Sequence, residues 1–230
     1  MGQGISRDPD VREVKVQVGG VALGGSLGVP EGARGLVIFA HGSGSSRFSP
    51  RNRAVARELR AQGLATLLFD LLDEAEEAED ASTGELRFDI PFLARRLAAV
   101  TDWASRQPEL AALRMGYFGS STGAAAALVA AALQPSRIHA VVSRGGRPDL
   151  AGPVLHRVQA PTLLLVGGQD MGVLELNETA LARLEGLKDI QIIRGATHLF
   201  EEPGALEQVS RLAAGWFRRF LGEAGTEARA

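Results

Sequence analysis

Cysteine is absent from the 230 residues of this chain, and its absence excludes several kinds of site. The chain can form no disulfide, offers no thiolate nucleophile and cannot hold zinc or an iron–sulfur cluster through cysteine. A chain without cysteine is compatible with a reducing compartment. We expect a cytoplasmic protein without a metal site.

Long apolar runs and a strong excess of charge are missing as well. The longest apolar stretch covers residues 123–133 and is mostly alanine, whereas a helix that spans a bilayer needs about 20 residues. A basic segment followed by an apolar one, the mark of a secretory signal, is not visible near Met1. The formal net charge of −2 does not favour a polyanion as a partner. We expect a small-molecule substrate, neither nucleic acid nor membrane as a partner, and a monomer or homodimer.

Short apolar runs alternate with segments of helical periodicity. A hairpin with strands at 11–18 and 21–29 is predicted first. Apolar runs then predict buried strands at 36–40, 65–69, 115–118, 140–142, 162–166 and 190–193, and 3.6-residue periodicity predicts helices at 50–62, 90–106, 122–133, 174–184 and 205–221. Strands that alternate with helices pair in parallel through right-handed crossovers and are covered on both faces. The sequence therefore predicts a three-layer α/β sandwich with a mostly parallel, doubly wound sheet and an antiparallel N-terminal hairpin.

The connections between these elements are too short for a lid domain, since the longest irregular piece is about 70–87. Seven acidic residues lie within 70–80, but their spacing matches no calcium-binding loop, so a solvated loop or short helix is expected there. We expect a leader and first edge strand over 1–18, a single α/β domain over 19–222 and a C-terminal tail over 223–230.

The segment Gly119-Ser120-Ser121-Thr122-Gly123 lies between a predicted strand and a predicted helix. Strand, G-x-S-x-G and helix in this order are the layout of a nucleophile elbow, which projects a serine hydroxyl above the sheet. Glycines flank the serine because a Cβ at either position would collide with the neighbouring strand and helix. The candidate nucleophile is Ser121, and the alternative is a glycine- and serine-rich loop that only joins the two elements.

An acid and a base follow Ser121 at later strand ends, in the order Ser121, Asp170, His198. This is the order of an α/β-hydrolase and not of chymotrypsin-like or subtilisin-like proteases. A serine hydroxyl needs a base such as imidazole to take its proton, and the imidazolium needs a carboxylate to orient and stabilise it. We predict His198 as the base and Asp170 as the acid.

Other residues compete for these two roles. His41 follows the first parallel strand and is the alternative base, although a histidine there more often organises the loop by hydrogen bonding. Asp70 and Asp149 are the alternative acids, since both lie near strand ends. A solvated carboxylate in a turn is the default interpretation of each aspartate.

Two backbone N–H groups are predicted to stabilise the oxyanion of acyl transfer. One belongs to Thr122, which follows the nucleophile and begins a helix. The other belongs to the loop after the first parallel strand, where Ser43 is the first candidate and Gly44 the second. This loop lacks the lysine and the spacing of a phosphate-binding P-loop.

Substrate contacts are predicted at two further strand ends. Arg144 follows the strand after the elbow and could bind a substrate carboxylate through two parallel hydrogen bonds; an ion pair within the protein is the alternative. His41 is the second candidate for contact with the substrate.

These motifs resemble the α/β-hydrolase superfamily and, within it, the dienelactone hydrolase family, over about residues 19–221. The resemblance rests on the small lid-free size, the elbow, His-Gly-Ser-Gly at 41–44, Leu-Val-Gly-Gly-Gln-Asp at 165–170 and Gly-Ala-Thr-His at 195–198. It implies hydrolysis of carboxylic esters and lactones without a cofactor, with Ser121, Asp170 and His198 as nucleophile, acid and base.

The chain also departs from dienelactone hydrolase itself. That enzyme uses a cysteine nucleophile and a glutamate in the loop after the first parallel strand, where this chain has Ser121 and the pair Gly42 and Ser43. Some relatives also hydrolyse organophosphate triesters. We expect a serine hydrolase that forms an acyl-enzyme on Ser121, with phosphotriester hydrolysis as a candidate side activity. A lyase on the same fold and a non-catalytic binding module are the alternatives.

Overall fold

A single sheet of eight strands forms the centre of the computed structural model, which describes residues 11–222. The strands are β1 (Val11–Val18), β2 (Val21–Gly28), β3 (Leu36–Ala40), β4 (Ala65–Phe69), β5 (Met115–Ser120), β6 (Ile138–Arg144), β7 (Thr162–Gly167) and β8 (Lys188–Ile193). Their order across the sheet is β1-β2-β4-β3-β5-β6-β7-β8. β2 pairs antiparallel with β1 and β4, and the other neighbours pair in parallel. The predicted mostly parallel sheet with an antiparallel N-terminal hairpin is confirmed.

Helices cover both faces of the sheet, as a doubly wound α/β chain requires. They are α1 (Pro50–Ala61), α2 (Glu74–Thr83), α3 (Ile90–Ala104), α4 (Thr122–Leu133), α5 (Met171–Arg183) and α6 (Ala205–Leu221), with 3₁₀ segments at Leu86–Phe88 and Pro148–Arg157. α1 and α6 share one apolar core with one face of the strands, and α3, α4 and α5 share a second core with the other face. The three-layer prediction is confirmed.

The two cores follow from the alternation of side chains along buried strands. In β3, Val37 and Phe39 face the core of α1 and α6, whereas Leu36 and Ile38 face the core of α3 and α4. All five residues of β3 are buried, which is why the sequence shows a continuous apolar run and no alternation. Because β3 to β8 run parallel to one another, their carboxyl ends lie at one common edge of the sheet. The loops that carry the candidate site begin at this edge.

The acidic segment 70–80 differs most from the sequence prediction, which allowed either a solvated loop or a short helix there. The structure has a ten-residue helix, α2, that begins with a capping box. The Asp73 side chain accepts the backbone N–H of Glu76, and the Glu76 side chain accepts the backbone N–H of Asp73. Only Asp80 of this helix is buried. Since almost nothing in α2 faces a core, it has no apolar periodicity to reveal it.

No helix within residues 11–222 is long and apolar enough to cross a lipid bilayer. Of the predicted leader, residues 1–10 lie outside the described part of the chain, and so does the predicted tail at 223–230. The predicted domain boundaries therefore stay predictions.

Candidate active site

Ser121 occupies the turn between β5 and α4 in an unusual backbone conformation. Its φ is 50° and its ψ is −123°, a region that costs a residue with a side chain about 1–3 kcal/mol. Hydrogen bonds to the next strand end hold the turn. The Ser121 N–H donates to the carbonyl of Arg144 at 3.3 Å, and the N–H of Arg147 donates to the carbonyl of Ser121 at 3.1 Å.

The glycines of the elbow are required by close backbone contacts. A Cβ on Gly123 would lie 2.3 Å from the carbonyl oxygens of both Ala40 and His41, and a Cβ on Gly119 would lie 2.4 Å from the Cα of Ala124. Real Cβ contacts are never that short, so a side chain at either position would force β3, β5 and α4 apart.

Asp170 and His198 meet above the carboxyl ends of β7 and β8. The Nδ1 atom of His198 donates to Oδ2 of Asp170 at 2.6 Å, since an ionised carboxylate only accepts. The His198 side chain is 40% exposed and that of Asp170 is 18% exposed. This contact fixes the tautomer of the ring and leaves Nε2 as its free, basic nitrogen.

The loop that follows β6 lies against both His198 and Ser121. A Cβ built on Gly145 would lie 3.5 Å from Cε1 of His198, and the neighbouring Arg144 accepts the Ser121 N–H. Within residues 11–222, no hydrogen bond joins the Ser121 hydroxyl to the His198 ring. Such bonds are often long in unliganded enzymes and shorten when the substrate binds.

Two residues that support this site were missed from the sequence. Glu202 accepts both the N–H and the hydroxyl of Thr197, at 3.0 and 2.6 Å, and so holds the loop that carries the histidine. Asn177 is fully buried on α5 and donates through Nδ2 to the carbonyl of Gly146 at 3.0 Å. Glu202 belongs to no sequence motif. Asn177 is a polar residue at a buried position of a helix, and this pattern could have indicated a side chain that forms a specific hydrogen bond.

His41, the alternative base, uses both ring nitrogens to organise its loop. Nε2 accepts the N–H of Leu71 at 3.0 Å, so Nδ1 carries the proton and donates to the carbonyl of Gly42 at 2.9 Å. The ring is 8% exposed, and burial holds the pKa of His41 below its ordinary value. It is therefore neutral, and it has no free nitrogen for a substrate.

The alternative acids pair with arginines. Asp70 forms an ion pair with Arg47 and also accepts the Arg47 N–H at 2.8 Å. Asp149 accepts two hydrogen bonds from the guanidinium of Arg147, at 2.8 and 2.7 Å. Among the described residues, the carboxylate that contacts His198 is that of Asp170.

The two predicted oxyanion donors lie side by side. The Ser43 N–H donates to the hydroxyl of Thr122 at 2.9 Å, so the loop after β3 is tied to the first residue of α4. A Cβ on Gly42 would lie 3.0 Å from the Cβ of Ser121, which shows how closely this loop approaches the nucleophile. The Thr122 N–H, at the amino end of α4, has no acceptor in the described part of the chain.

A small cleft, open to solvent, borders the same loop. Leu71, Leu72 and Leu93 give it apolar walls, and Glu77 and Arg87 add polar groups. Arg87 forms an ion pair with the buried Asp80 of α2. Ser43 and Thr122, which carry the two predicted oxyanion donors, also line this cleft.

Arg144 ends β6 with its side chain buried, at 8% exposure. Within residues 11–222 no carboxylate forms an ion pair with it, and its Nη1 atom is buried without a hydrogen-bond partner. The ion pair that the sequence left open as an alternative is not present among these residues.

Comparison with solved structures finds a similar chain in a crystal structure of dienelactone hydrolase from Anabaena variabilis. It is 56% identical, with a TM-score of 0.90, over 92% of this chain and 99% of that one. A dienelactone hydrolase-like promiscuous phosphotriesterase from metagenomic libraries is 22% identical with a TM-score of 0.73, over 92% of this chain and 98% of that one. At that identity the likeness shows the fold alone.

Curated relatives come from two strains of Mycobacterium tuberculosis, CDC 1551 and H37Rv. Both carry the provisional name phosphoribosyl transferase and are 58% identical over 212 residues, which is 91% of this chain and 47% of theirs. The chain thus spans about half the length of the curated relatives it matches. No protein-family model matches the chain.

Proposed function

The chain belongs to the dienelactone hydrolase family of α/β-hydrolases, and we propose that it is a serine hydrolase that cleaves carboxylic esters or lactones. The observation that carries this proposal is the 2.6 Å hydrogen bond between His198 and Asp170. It lies beside a loop that also contacts the elbow residue Ser121. A nucleophile, a base and an oriented acid are the groups that acyl transfer needs.

The reaction begins when the Ser121 hydroxyl attacks the carbonyl carbon and passes its proton to Nε2 of His198. Asp170 stabilises the imidazolium through Nδ1. The carbonyl oxygen becomes an oxyanion that accepts the N–H groups of Thr122 and Ser43. The Thr122 hydroxyl keeps the Ser43 N–H in place, and this N–H is shared between the hydroxyl and the oxyanion in a three-centre hydrogen bond.

The acyl-enzyme forms when His198 returns the proton to the leaving oxygen and the carbon–oxygen bond breaks. Water then attacks the acyl carbon, gives a proton to His198, and the carboxylic acid leaves as Ser121 recovers its proton. In a lactone, the leaving oxygen stays attached to the acyl group, and the product is a hydroxy acid.

Hydrolysis of p-nitrophenyl butyrate by three variants tests this assignment. Ser121→Ala and His198→Gln should each lower kcat at least about 10³-fold. His41→Gln is the matched control, since it also removes an imidazole but keeps an acceptor for the Leu71 N–H; it should keep activity within about tenfold. Unchanged turnover by folded Ser121→Ala would contradict the proposal.

A fluorophosphonate probe separates hydrolysis from the alternatives. The wild type should gain one adduct by intact-protein mass spectrometry, and Ser121→Ala should gain none. A folded wild type that takes up no adduct would favour a binding module. Release of an aldehyde or ketone without an acyl-enzyme would indicate a lyase.

The names of the relatives suggest further substrates for the same assay. Dienelactone and a phosphotriester should be included because relatives are named for them. No observation in the described residues favours phosphoribosyl transfer, and the curated relatives with that name are about twice as long as the matched region.

A further inference from the structure

Two residues other than glycine have a positive φ within residues 11–222. They are Ser121, with a φ of 50°, and Phe200, with a φ of 56°. A positive φ is uncommon for any residue with a side chain and is an outlier for a bulky one. The first residue is the candidate nucleophile, and the second lies two positions after the candidate base, His198. Because such strain persists only where the surroundings impose it and gathers at functional sites, Phe200 calls for an explanation.

Phe200 joins an exposed position to a buried one over a very short stretch of chain. The His198 side chain is 40% exposed, whereas Phe200 is 1% exposed and belongs to the core shared with α1 and α6. A Cβ built on Gly145 would lie 3.2 Å from Cε2 of Phe200 and 3.2 Å from the carbonyl oxygen of His198. The backbone therefore turns sharply between a side chain at the site and one in the core, and the positive φ makes that turn.

Glu202 closes this turn from the other side. Its Oε1 atom accepts the N–H of Thr197 at 3.0 Å and the Thr197 hydroxyl at 2.6 Å. The bond from the hydroxyl lowers the pKa of Glu202 below its ordinary value, so this side chain is a carboxylate at neutral pH and only accepts. Residues 197–202, which we call the histidine loop, are thus joined end to end around His198 and Phe200.

The loop that carries Asp170 packs against the start of the histidine loop. The Gln169 N–H donates to the carbonyl of Ala196 at 2.9 Å. A Cβ on Gly167 would lie 2.6 Å from the carbonyl oxygen of Thr197. Since these backbones are in close contact, a shift of Thr197 would change the distance between the acid and the base, whose hydrogen bond is 2.6 Å long.

We propose that Glu202 is a positioning residue for the reaction. By binding Thr197 it maintains the strained backbone at Phe200 and keeps His198 aligned with both Asp170 and Ser121. The inference rests on the proposed function and adds a residue to the machinery of that same site. Glu202 acts through Thr197 and not by contact with the substrate.

The contribution of Glu202 is geometric and does not depend on its charge. Both hydrogen bonds from Thr197 reach the same oxygen, Oε1. The other oxygen, Oε2, is buried and has no hydrogen-bond partner within residues 11–222. Glutamine keeps an acceptor at Oε1 and changes only the atom without a partner, so Glu202→Gln removes the charge and leaves the loop closed.

Kinetics of two variants on p-nitrophenyl butyrate test the proposal. Glu202→Met has a side chain of similar length but no acceptor, and its kcat should fall about 10- to 100-fold, because small displacements of reacting groups cost rates of this order. Its KM should stay within about twofold, since the lost interaction does not bind the substrate. Glu202→Gln should keep kcat within about threefold of the wild type.

Glu201→Met is the matched control for loss of a glutamate from the histidine loop. The Glu201 side chain is 64% exposed and pairs with Arg51 at 2.9 Å, and an exposed ion pair contributes little. Its kcat should stay within about twofold of the wild type. A loss in Glu201→Met as large as that in Glu202→Met would contradict the assignment, because any change in this loop would then have the same effect.

Thr197 provides an independent variant in case Glu202→Met does not fold. Thr197 is exposed, so Thr197→Val disturbs no core, and it removes the hydroxyl donor but keeps the N–H. Its kcat should fall about 3- to 10-fold, as expected for one hydrogen bond, and Thr197→Ser should restore it. Adding Thr197→Val to Glu202→Met should cause no further loss, because residues that act as a unit are not additive.

Proton NMR measures the alignment without any turnover. The Nδ1 proton of His198, held in a short bond to Asp170, should give a far-downfield resonance that His198→Gln lacks. Glu202→Gln should keep this resonance, and Glu202→Met should shift or broaden it. This pattern would support the positioning role even if the wild type hydrolyses no ester, a result that would count against the proposed function alone.

Two results would overturn the positioning role. Folded Glu202→Met with unchanged kcat and an unchanged resonance would show that Glu202 serves stability only. Equal losses of kcat in Glu202→Met and Glu202→Gln, with the resonance intact in both, would show that the charge acts and the hydrogen-bonded geometry does not.

Discussion

At the scale of single residues, Thr122 connects the two groups that are proposed to bind the oxyanion. Its own N–H is one donor, and its hydroxyl accepts the N–H of Ser43, the other donor. The side chain is almost fully buried, so water cannot replace the hydroxyl easily. Thr122 therefore positions the loop after β3 before a substrate arrives.

We predict that Thr122→Val lowers kcat about tenfold with little change in KM. Valine keeps the shape and the backbone N–H but removes the acceptor for Ser43, and one hydrogen bond contributes about 0.5–1.5 kcal/mol. Steady-state kinetics on p-nitrophenyl butyrate would measure this, and Thr122→Ser should restore most of the rate. A rise in kcat for Thr122→Val would show that the hydroxyl competes with the oxyanion for the Ser43 N–H.

At the scale of elements, the elbow depends on how closely α4 approaches β3. The Gly123 position admits no side chain, because its Cβ would lie 2.3 Å from two carbonyl oxygens of the strand end. Backbone atoms cannot move aside as a flexible side chain can. The distance between helix and strand is therefore fixed by the size of this one residue.

We predict that Gly123→Ala lowers the free energy of unfolding by about 3 kcal/mol or more, since overpacking against backbone is costly. Gly215→Ala is the control, because a Cβ there meets nothing within 4 Å. Alanine at that exposed position of α6 should stabilise the protein by about 0.5–1 kcal/mol. Urea denaturation of both variants would check the contrast, and equal stabilities would contradict it.

The elements that pack against a core could be predicted from the sequence. The exposed helix α2 and the exposed first turn of α5 could not. The helices at Thr122–Leu133 and Ala205–Leu221 have their predicted bounds because an apolar pattern marks the whole of each. α5 begins at Met171, three residues before its predicted start, since its first turn is largely exposed. α2 had only a local signal, the Asp73-x-x-Glu76 spacing of a capping box.

The candidate site also has a part that the sequence predicted and a part that it did not. Strand ends and chain order predicted where Ser121, Asp170 and His198 lie, because parallel strands deliver their carboxyl ends to one edge. Their catalytic roles stay predictions. The hydrogen bond between Ser43 and Thr122, and the lack of an ion pair at Arg144 within residues 11–222, depend on how distant segments pack. No pattern in one segment records them.

At the scale of the whole molecule, His41 links two parts of the sheet edge and makes stability depend on pH. Its ring joins the loop after β3 to the N–H of Leu71 after β4. Burial lowers its pKa below 6.5 in the folded protein. The unfolded chain therefore binds this proton more readily, and stability is lost as pH falls below about 6.5.

We predict a lower free energy of unfolding at pH 5.5 than at pH 7.5, with His41 contributing at most about 1.4 kcal/mol to the difference. Urea denaturation of the wild type and His41→Gln at both pH values would measure it. The variant should show a smaller difference, with the remainder shared by other groups such as His139, whose pKa is also lowered by burial. An identical pH dependence in both proteins would exclude His41 as a source.

The strand order also has a consequence for folding. β3 pairs with β5, so Leu36 faces Met115 across the sheet, and the candidate site draws on segments from Ser43 to His198. Contacts between such remote parts of a chain raise the contact order and slow folding. No short fragment contains the candidate site, so the proposed ester hydrolysis would be expected only from chains whose strands have assembled from β3 to β8.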